Sequence, residues 1–182
     1  DPEMSRGLGD VYKRQQVVIR MSVKFEDNHI RIKADMKSEA VAFLHEAAGA
    51  LVSQTQRNTA VGKVSGGKTK SEWTYQVDES KLEAAIGNPM ENAIWEEFGT
   101  GEYALNGYGR KGKWYIPIGN AEGQISQNVV DAYGMKVVHG KGGVDYVETS
   151  GKRAKRPFYT AYLAKKNAIQ KRLESILKGL GK

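Results

Sequence analysis

The octapeptide at 62–69, GKVSGGKT, satisfies G-x-x-x-x-G-K-[ST], the pattern of a loop whose backbone N–H groups and lysine hold nucleotide phosphates. Such a loop must follow a buried strand and open into a helix, whose N-terminal N–H groups and dipole carry the charge. Here QTQRNTAV at 54–61 precedes it, too polar for a buried parallel strand, and belongs to a helical pattern. An alternating segment, SEWTYQVD at 71–78, follows it, and no apolar run ending in Asp lies downstream to hold magnesium. The order is inverted for nucleotide hydrolysis, and the match reads as a flexible loop of Gly, Ser, Lys and Thr.

Glu96 and Glu97 are the one adjacent carboxylate pair in a distinctive setting. Neighbours on a helix point about 100° apart, so they do not converge on one substrate atom. A structural role or a subunit contact is expected of them. The G-x-G triplets at 99–101 and 107–109 do not extend to a dinucleotide fingerprint. The three histidines, His29, His45 and His139, are scattered, and His45 has no second His at i+4, so it reads as a hydrogen-bonded or surface residue. Cysteine is absent, which excludes disulfides and thiolate zinc sites. No catalytic group, metal or cofactor is expected.

The densest basic run, GKRAKR at 151–156, offers Lys152, Lys155, Arg153 and Arg156 to DNA phosphates or to an acidic partner. Contacts of that kind are independent of base sequence and sensitive to salt. The plain alternative is a solvated loop. The formal net charge of +7 suits either polyanionic partner, and no base-reading motif accompanies the run. A non-specific nucleic-acid-binding module built on 151–156 is therefore the alternative to the reading reached below.

These residues need a scaffold, and 182 residues suit one domain with a sizeable core. The composition, 40% hydrophobic and 27% charged, is that of a globular protein, and no run nears the roughly 18 apolar residues of a membrane span. Residues 1–20 show no clean period and are expected to be a non-native or disordered extension, with a natural start at Met21. Residues 21–182 then form a single α+β domain, with a variable insertion at about 119–150 holding a short helix at 126–133 and a strand or two.

Alternation at 22–35 predicts a hairpin around Asp27-Asn28, with Phe25 opposite Ile30 and Val23 opposite Ile32. Helical period takes over at 37–58, capped by Ser38 or Asp35, with Ala40, Phe43, Leu44, Ala47, Leu51 and Val52 in one stripe. After a mobile loop at 59–70, a second hairpin places Trp73, Tyr75 and Val77 against Leu82, Ala84 and Ile86, turning at 78–80. A short helix at 90–98 turns Ala93, Ile94 and Phe98 inward, ends at Gly99 or Gly101, and leads through a Gly/Tyr loop to a strand at 113–118. The last helix starts with Pro157 and carries a stripe of Phe158, Ala161, Tyr162, Ile169, Leu173, Ile176, Leu177 and Leu180. The expected fold is a mostly antiparallel sheet of hairpins packed against two main helices, about 37–58 and 157–179.

The run IGNPMENAIWEEFGTGEYAL (86–105), then GRKGKW (109–114), and later TSGKRAKRPFYTAY (149–162) resemble the small neck proteins of long-tailed bacteriophages. These are the gene-ten-like tail components and minor head–tail connectors. The likeness spans roughly 21–180, and its most specific parts are Glu97-Phe98-Gly99-Thr100-Gly101 and Arg156-Pro157-Phe158. The chain departs from the pattern at 62–73, where many relatives carry D-T-G-x-L-x-x-S. The resemblance implies a structural subunit of the virion neck, present in the host cytoplasm during assembly, that docks without enzymatic turnover. Its partners would be portal-side connector and tail proteins and further copies of itself in an oligomer or ring, with passing genomic DNA as a non-specific contact and no membrane. Interface candidates on that basis are Trp95, Tyr103 and Arg110 together with the residues of the two specific parts. Aromatics in the Gly-rich loops, including Tyr108 and Trp114, suit docking, although Trp114 alternates with Ile116 and Ile118 as a core residue would.

Overall fold

Helical period in the first third of the chain produces its longest helix. The computed structural model describes residues 19–22, 33–64 and 66–180, and within them helix α1 runs Lys33–Asn58. It starts four residues before the expected 37. Ala34, expected at a strand end, and Asp35 and Ser38, expected as caps, all lie inside it, with Asp35 in the first turn, where its charge suits the dipole. Lys, Ala, Met and Glu dominate this segment and favour helix over strand. The hairpin around Asp27-Asn28 and His29 lie outside the described residues.

Of the expected stripe on α1, Ala40, Phe43, Leu44, Ala47 and Leu51 are buried, Val52 is half-buried against the core, and Ala48, not expected in the stripe, is buried. Leu44, Ala48 and Leu51 pack against a sheet of β2 (Thr74–Asp78), β3 (Glu83–Gly87) and β1 (Ile19–Ser22), in the antiparallel order β1-β3-β2. Tyr75 pairs with Ile86 and Val77 with Ala84, and one face of the hairpin packs against α1. Its turn is held by Asp78, whose carboxylate accepts the N–H groups of Ser80 (2.9 Å) and Lys81 (3.2 Å). Ile19 and Arg20, expected in the extension before Met21, pair with Ile86 and Ala85 on the edge of β3 that β2 leaves open.

Polar groups at the C-terminal end of α1 are satisfied in series. Trp73 Nε1 donates to Thr59 Oγ1 (3.0 Å), Thr59 Oγ1 to the Thr55 carbonyl (2.8 Å), and Thr55 Oγ1 to the Leu51 carbonyl (2.7 Å). Both threonines are buried, so these bonds remove a desolvation penalty that burial would otherwise impose.

The chain's other long helix, α5 (Pro157–Leu180), lies antiparallel on α1. Asn58 Nδ2 donates to the Pro157 carbonyl (3.0 Å) at one end, and Arg172 Nε to Glu46 Oε2 (3.0 Å) further along. Phe158 stacks on Trp73 with ring centroids 6.1 Å apart and joins the core. The covered row runs through 158, 161, 165, 169, 173 and 176, the spacing of a single helix face. Tyr162 and Leu177, expected in the stripe, sit one step round the helix from that row and are 40% and 44% exposed. The side chain of Leu180 lies outside those described.

A second antiparallel sheet of β4 (Trp114–Pro117), β6 (Asp145–Thr149) and β5 (Val137–His139), in the order β4-β6-β5, adds to the first, so the antiparallel strands expected from sequence divide between two sheets. Its centre is β6, so the segment 119–150 supplies two of its three strands along with helix α4 (Gln127–Tyr133). The class is α+β, as the run of hairpins and two long helices implies. Between the two sheets in sequence lie helix α3 (Glu91–Phe98) and a single 3-10 turn, Gly101–Tyr103.

Leu51 is fully buried. Leu51→Ala is expected to cost about 2–5 kcal/mol in urea unfolding, against less than about 0.5 kcal/mol for Leu105→Ala at a half-exposed loop position.

Candidate interaction site

Helix α5 opens with Pro157, which has no N–H, so Phe158 and Tyr159 present the first free donors of the helix. The residue before Pro157 is Arg156, held at a φ of 55° and offering no capping oxygen. Glu97, buried on α3, supplies it instead. Its Oε2 accepts the N–H of Phe158 at 2.8 Å and its Oε1 that of Tyr159 at 3.0 Å, across 61 and 62 residues of chain. A carboxylate at this end of the helix also meets the positive end of its dipole.

Glu96 points about 100° away and turns to the preceding loop. Its carbonyl accepts the N–H groups of Lys155 (2.8 Å) and Arg156 (3.1 Å), and its carboxylate binds the ammonium groups of Lys152 and Lys155. Burial, the largest single influence, raises its pKa. The Lys152 hydrogen bond and the charges of Lys152 and Lys155 together outweigh burial and hold it below the ordinary value.

The next residues continue the joint. Thr100 N donates to the Lys152 carbonyl (2.8 Å), Lys152 N to Thr100 Oγ1 (2.9 Å), and Glu102 N to the Ser150 carbonyl (2.9 Å). Gly99 has a φ of 71° and a ψ of 176°, a region open essentially to glycine alone. A Cβ there would stand 2.6 Å from the Tyr103 carbonyl oxygen and 2.8 Å from that of Lys152. At Gly101 a Cβ would overlap the Ser150 carbonyl and the Trp114 ring. Glu97-Phe98-Gly99-Thr100-Gly101 and Arg156-Pro157-Phe158, widely separated in sequence, therefore meet as one joint.

The candidate residues divide accordingly. Glu97, Gly101, Pro157 and Phe158 are buried inside the joint, and Gly99 and Thr100 are half-buried within it. Trp95, Phe98 and Trp114 are half-buried and line a groove of about 540 Å³ together with Tyr108, Arg110 and Tyr115. Tyr108 is 92% exposed, and the Arg110 guanidinium lies 5.4 Å from the centre of the Trp114 ring. Trp114 thus packs against Gly101 and faces the groove at once. Of the basic run, Lys152 and Lys155 share Glu96, Arg153 lies 4.4 Å over the Tyr103 ring, and Arg156 lies 3.7 Å over Tyr159 with its Nε buried and unpartnered. The sequence shows Gly109 only as part of a G-x-G triplet in a loop and carries no signal at Gly151. A Cβ on the first would overlap the Gly101 carbonyl and on the second that of Thr100, and only a spatial neighbour reveals this.

Beside the joint, Glu148 on β6 is bridged by Lys136 Nζ (2.8 Å) and Lys113 Nζ (3.0 Å). The hydrogen bonds from Lys136 and then Lys113 lower its pKa from the ordinary 4.5 to about 2.

The 62–69 loop lies elsewhere. Helix α1 precedes it, and a one-turn helix α2 (Lys68–Ser71) stands where the sequence suggested a loop running on to a strand, nucleated by Gly67 at a φ of 90°. Lys63 Nζ donates to the Ala132 carbonyl (2.9 Å) and Lys63 N to the Tyr133 hydroxyl (3.0 Å), which docks the loop on α4. Ser65 lies outside the described residues. His45 is exposed, 3.4 Å from the Tyr75 hydroxyl, and His139 lies 2.7 Å from Asp145. Among the described residues no three His, Asp or Glu side chains cluster as metal ligands do, and no helix is long and apolar enough to cross a membrane.

Comparison of the chain with protein-family models, with characterised proteins and with solved structures finds no match.

Two outcomes follow from this geometry. Gly101→Ala is expected to abolish cooperative folding or lower the melting temperature by more than 10 °C, since two neighbours must move; Gly107→Ala, with a φ of 75° but open space, should cost only about 1 kcal/mol. Because the folded pKa of Glu148 is depressed, its stabilisation is complete above pH about 4.5 and is lost as pH falls through about 2. Thermal melts of wild type and Glu148→Gln should differ most at pH 6–7 and converge between pH 4.5 and 2.

Proposed function

We propose that the chain is a structural subunit of the neck of a long-tailed bacteriophage, joining the DNA-filled head to the tail by docking and without turnover. Two kinds of support bear on this. The residues that carry the resemblance form one joint, so they act as a unit and fix a surface. The observation that weighs most is the groove on that joint, lined by Trp95, Phe98, Tyr108 and Trp114. Large aromatic side chains on a fixed backbone give contact area with little entropy to lose, which is what a docking surface needs.

On this reading the buried members of the motif, Glu97, Gly101, Pro157 and Phe158, work from inside by shaping the groove. Trp95, Phe98, Tyr103, Tyr108 and Arg110 touch the neighbour. The neighbours are portal-side connector and tail proteins, and further copies of the chain in an oligomer or ring. The site of action is the virion neck, reached from the host cytoplasm during assembly.

The test is reconstitution. Purified chain is mixed with portal-bearing heads and with tails, and bound chain is read by sedimentation and electron microscopy. Wild type is expected to co-sediment and to occupy the neck. Tyr108→Ala, at an exposed position that leaves the fold intact, should weaken that association at least tenfold. Wild type that binds neither assembly, or a Tyr108→Ala protein that binds as tightly as wild type, overturns the reading.

A further inference from the structure

Three basic segments leave the same end of the second sheet. Antiparallel pairing of Trp114 with Thr149 brings the residues before β4 next to those after β6. The run Arg110-Lys111-Gly112-Lys113 therefore emerges beside Ser150 and the run that follows it. Both are tied to one turn, Gly101–Tyr103. Gly112 N donates to Glu102 Oε1 (2.9 Å) on one side, and Arg153 stacks on the Tyr103 ring on the other. Lys136 joins them, since its carbonyl accepts Glu148 N (3.0 Å) and its ammonium group shares Glu148 with Lys113. In sequence these segments are separated by more than a dozen residues, and only the register of the sheet assembles them.

The carboxylates at this end do not cancel the charge. Glu148 serves two lysines, Lys113 and Lys136, and Glu96 serves two more, Lys152 and Lys155. Each pairing leaves a positive surplus. Arg110, Lys111 and Arg153 are exposed and add to it, and among the described residues none of the three makes a salt bridge; exposed Glu102 on the turn offsets one of these three charges and leaves the surplus positive.

We propose that this end of the sheet is a composite face for the phosphate backbone of nucleic acid, carried by Arg110, Lys111 and Arg153 and flanked by the lysines on Glu96 and Glu148. It does not require the docking reading, although it shares Arg110 and Tyr108 with the groove, and it uses residues of two runs, where the sequence alone singled out only 151–156. Nucleic acid is favoured over an acidic polypeptide by the company the arginines keep. The Arg110 and Arg153 guanidinium carbons lie 5.4 and 4.4 Å from the centres of the Trp114 and Tyr103 rings, and a guanidinium held beside a ring keeps N–H donors for a phosphate. Exposed Tyr108 and Tyr115 stand beside them as stacking surfaces that a nucleotide can use. No element here enters a groove or reads base edges, so recognition is independent of sequence.

The experiment is fluorescence anisotropy with two labelled 25-base-pair DNA duplexes of unrelated sequence, from about 50 to 300 mM NaCl, using the full chain. Both duplexes should bind within twofold of each other, with affinity falling steeply with salt. The triple variant Arg110→Gln/Lys111→Gln/Arg153→Gln should bind at least tenfold more weakly at about 100 mM NaCl and show a salt slope shallower by about 2–3, as expected for three lost phosphate contacts. The charge-matched control Lys166→Gln/Lys171→Gln/Lys178→Gln, at exposed positions on α5, should change affinity less than threefold. Circular dichroism melts of both triples should match wild type, and Lys111→Gln alone, at a solvent-facing position, gives a graded effect that does not depend on the triple variant folding. Equal losses in both triples would mean diffuse attraction to net charge and overturn the proposal. So would no binding at 50 mM NaCl, or displacement of the duplex by polyglutamate as readily as by unlabelled DNA.

Discussion

A buried carboxylate at the start of a helix sets the rest of the structure in place. Glu97 is 5% exposed, and its two oxygens are occupied by the N–H groups of Phe158 and Tyr159. Hydrogen bonds to a charged group are worth about 1.5–3 kcal/mol each, but a buried carboxylate without them costs more than they return. The bond set is therefore cooperative: α3 cannot hold Glu97 inside unless α5 presents its first turn, and α5 has no capping oxygen of its own. Phe158, fixed by the same contact, stacks on Trp73 and brings α5 onto the core under α1 and the first sheet.

Around that contact the backbone is packed too closely for side chains. Gly99, Gly101, Gly109 and Gly151 each lie where a Cβ would strike a carbonyl oxygen, so the loops at 99–109 and 150–154 touch main chain to main chain. Close approach makes the joint stiff, and stiffness passes to what is built on it. Trp114 presses on Gly101 from one side and looks into the groove on the other. A face built this way holds Trp95 and Trp114 against the joint, while Tyr108 and Arg110 extend the groove from the loop between Gly107 and Gly112, glycines with open space around them.

Much of the scaffold could be read along the chain because its signals are local. The stripe at Ala40, Phe43, Leu44, Ala47 and Leu51 is buried, and the faces of the β2–β3 hairpin are those that alternation assigns. The misassigned boundaries also have local causes. Ala34 and Asp35 sit in a helix-favouring segment but end an alternating run, and Tyr162 and Leu177 are apolar yet one step off the covered face. The second sheet was hard to see because its central strand buries one residue, Val147, and leaves almost no period. The angular argument on Glu96 and Glu97 holds for what it excludes: the two carboxylates diverge, one to a helix terminus and one to two lysines. Their actual partners lie more than 50 residues away and carry no signal in the local sequence.

The antiparallel contact of α1 with α5 has a bearing on how the molecule comes into being. The first long helix and the strands behind it have their apolar side open until α5, which follows every other described element, arrives to cover it. During synthesis the nascent chain must therefore wait with Leu44, Ala48 and Trp73 incompletely sheltered, and contacts spanning more than 100 residues close last. Such a chain is most exposed to misassociation on the ribosome, and truncation within α5 would leave it in that state permanently.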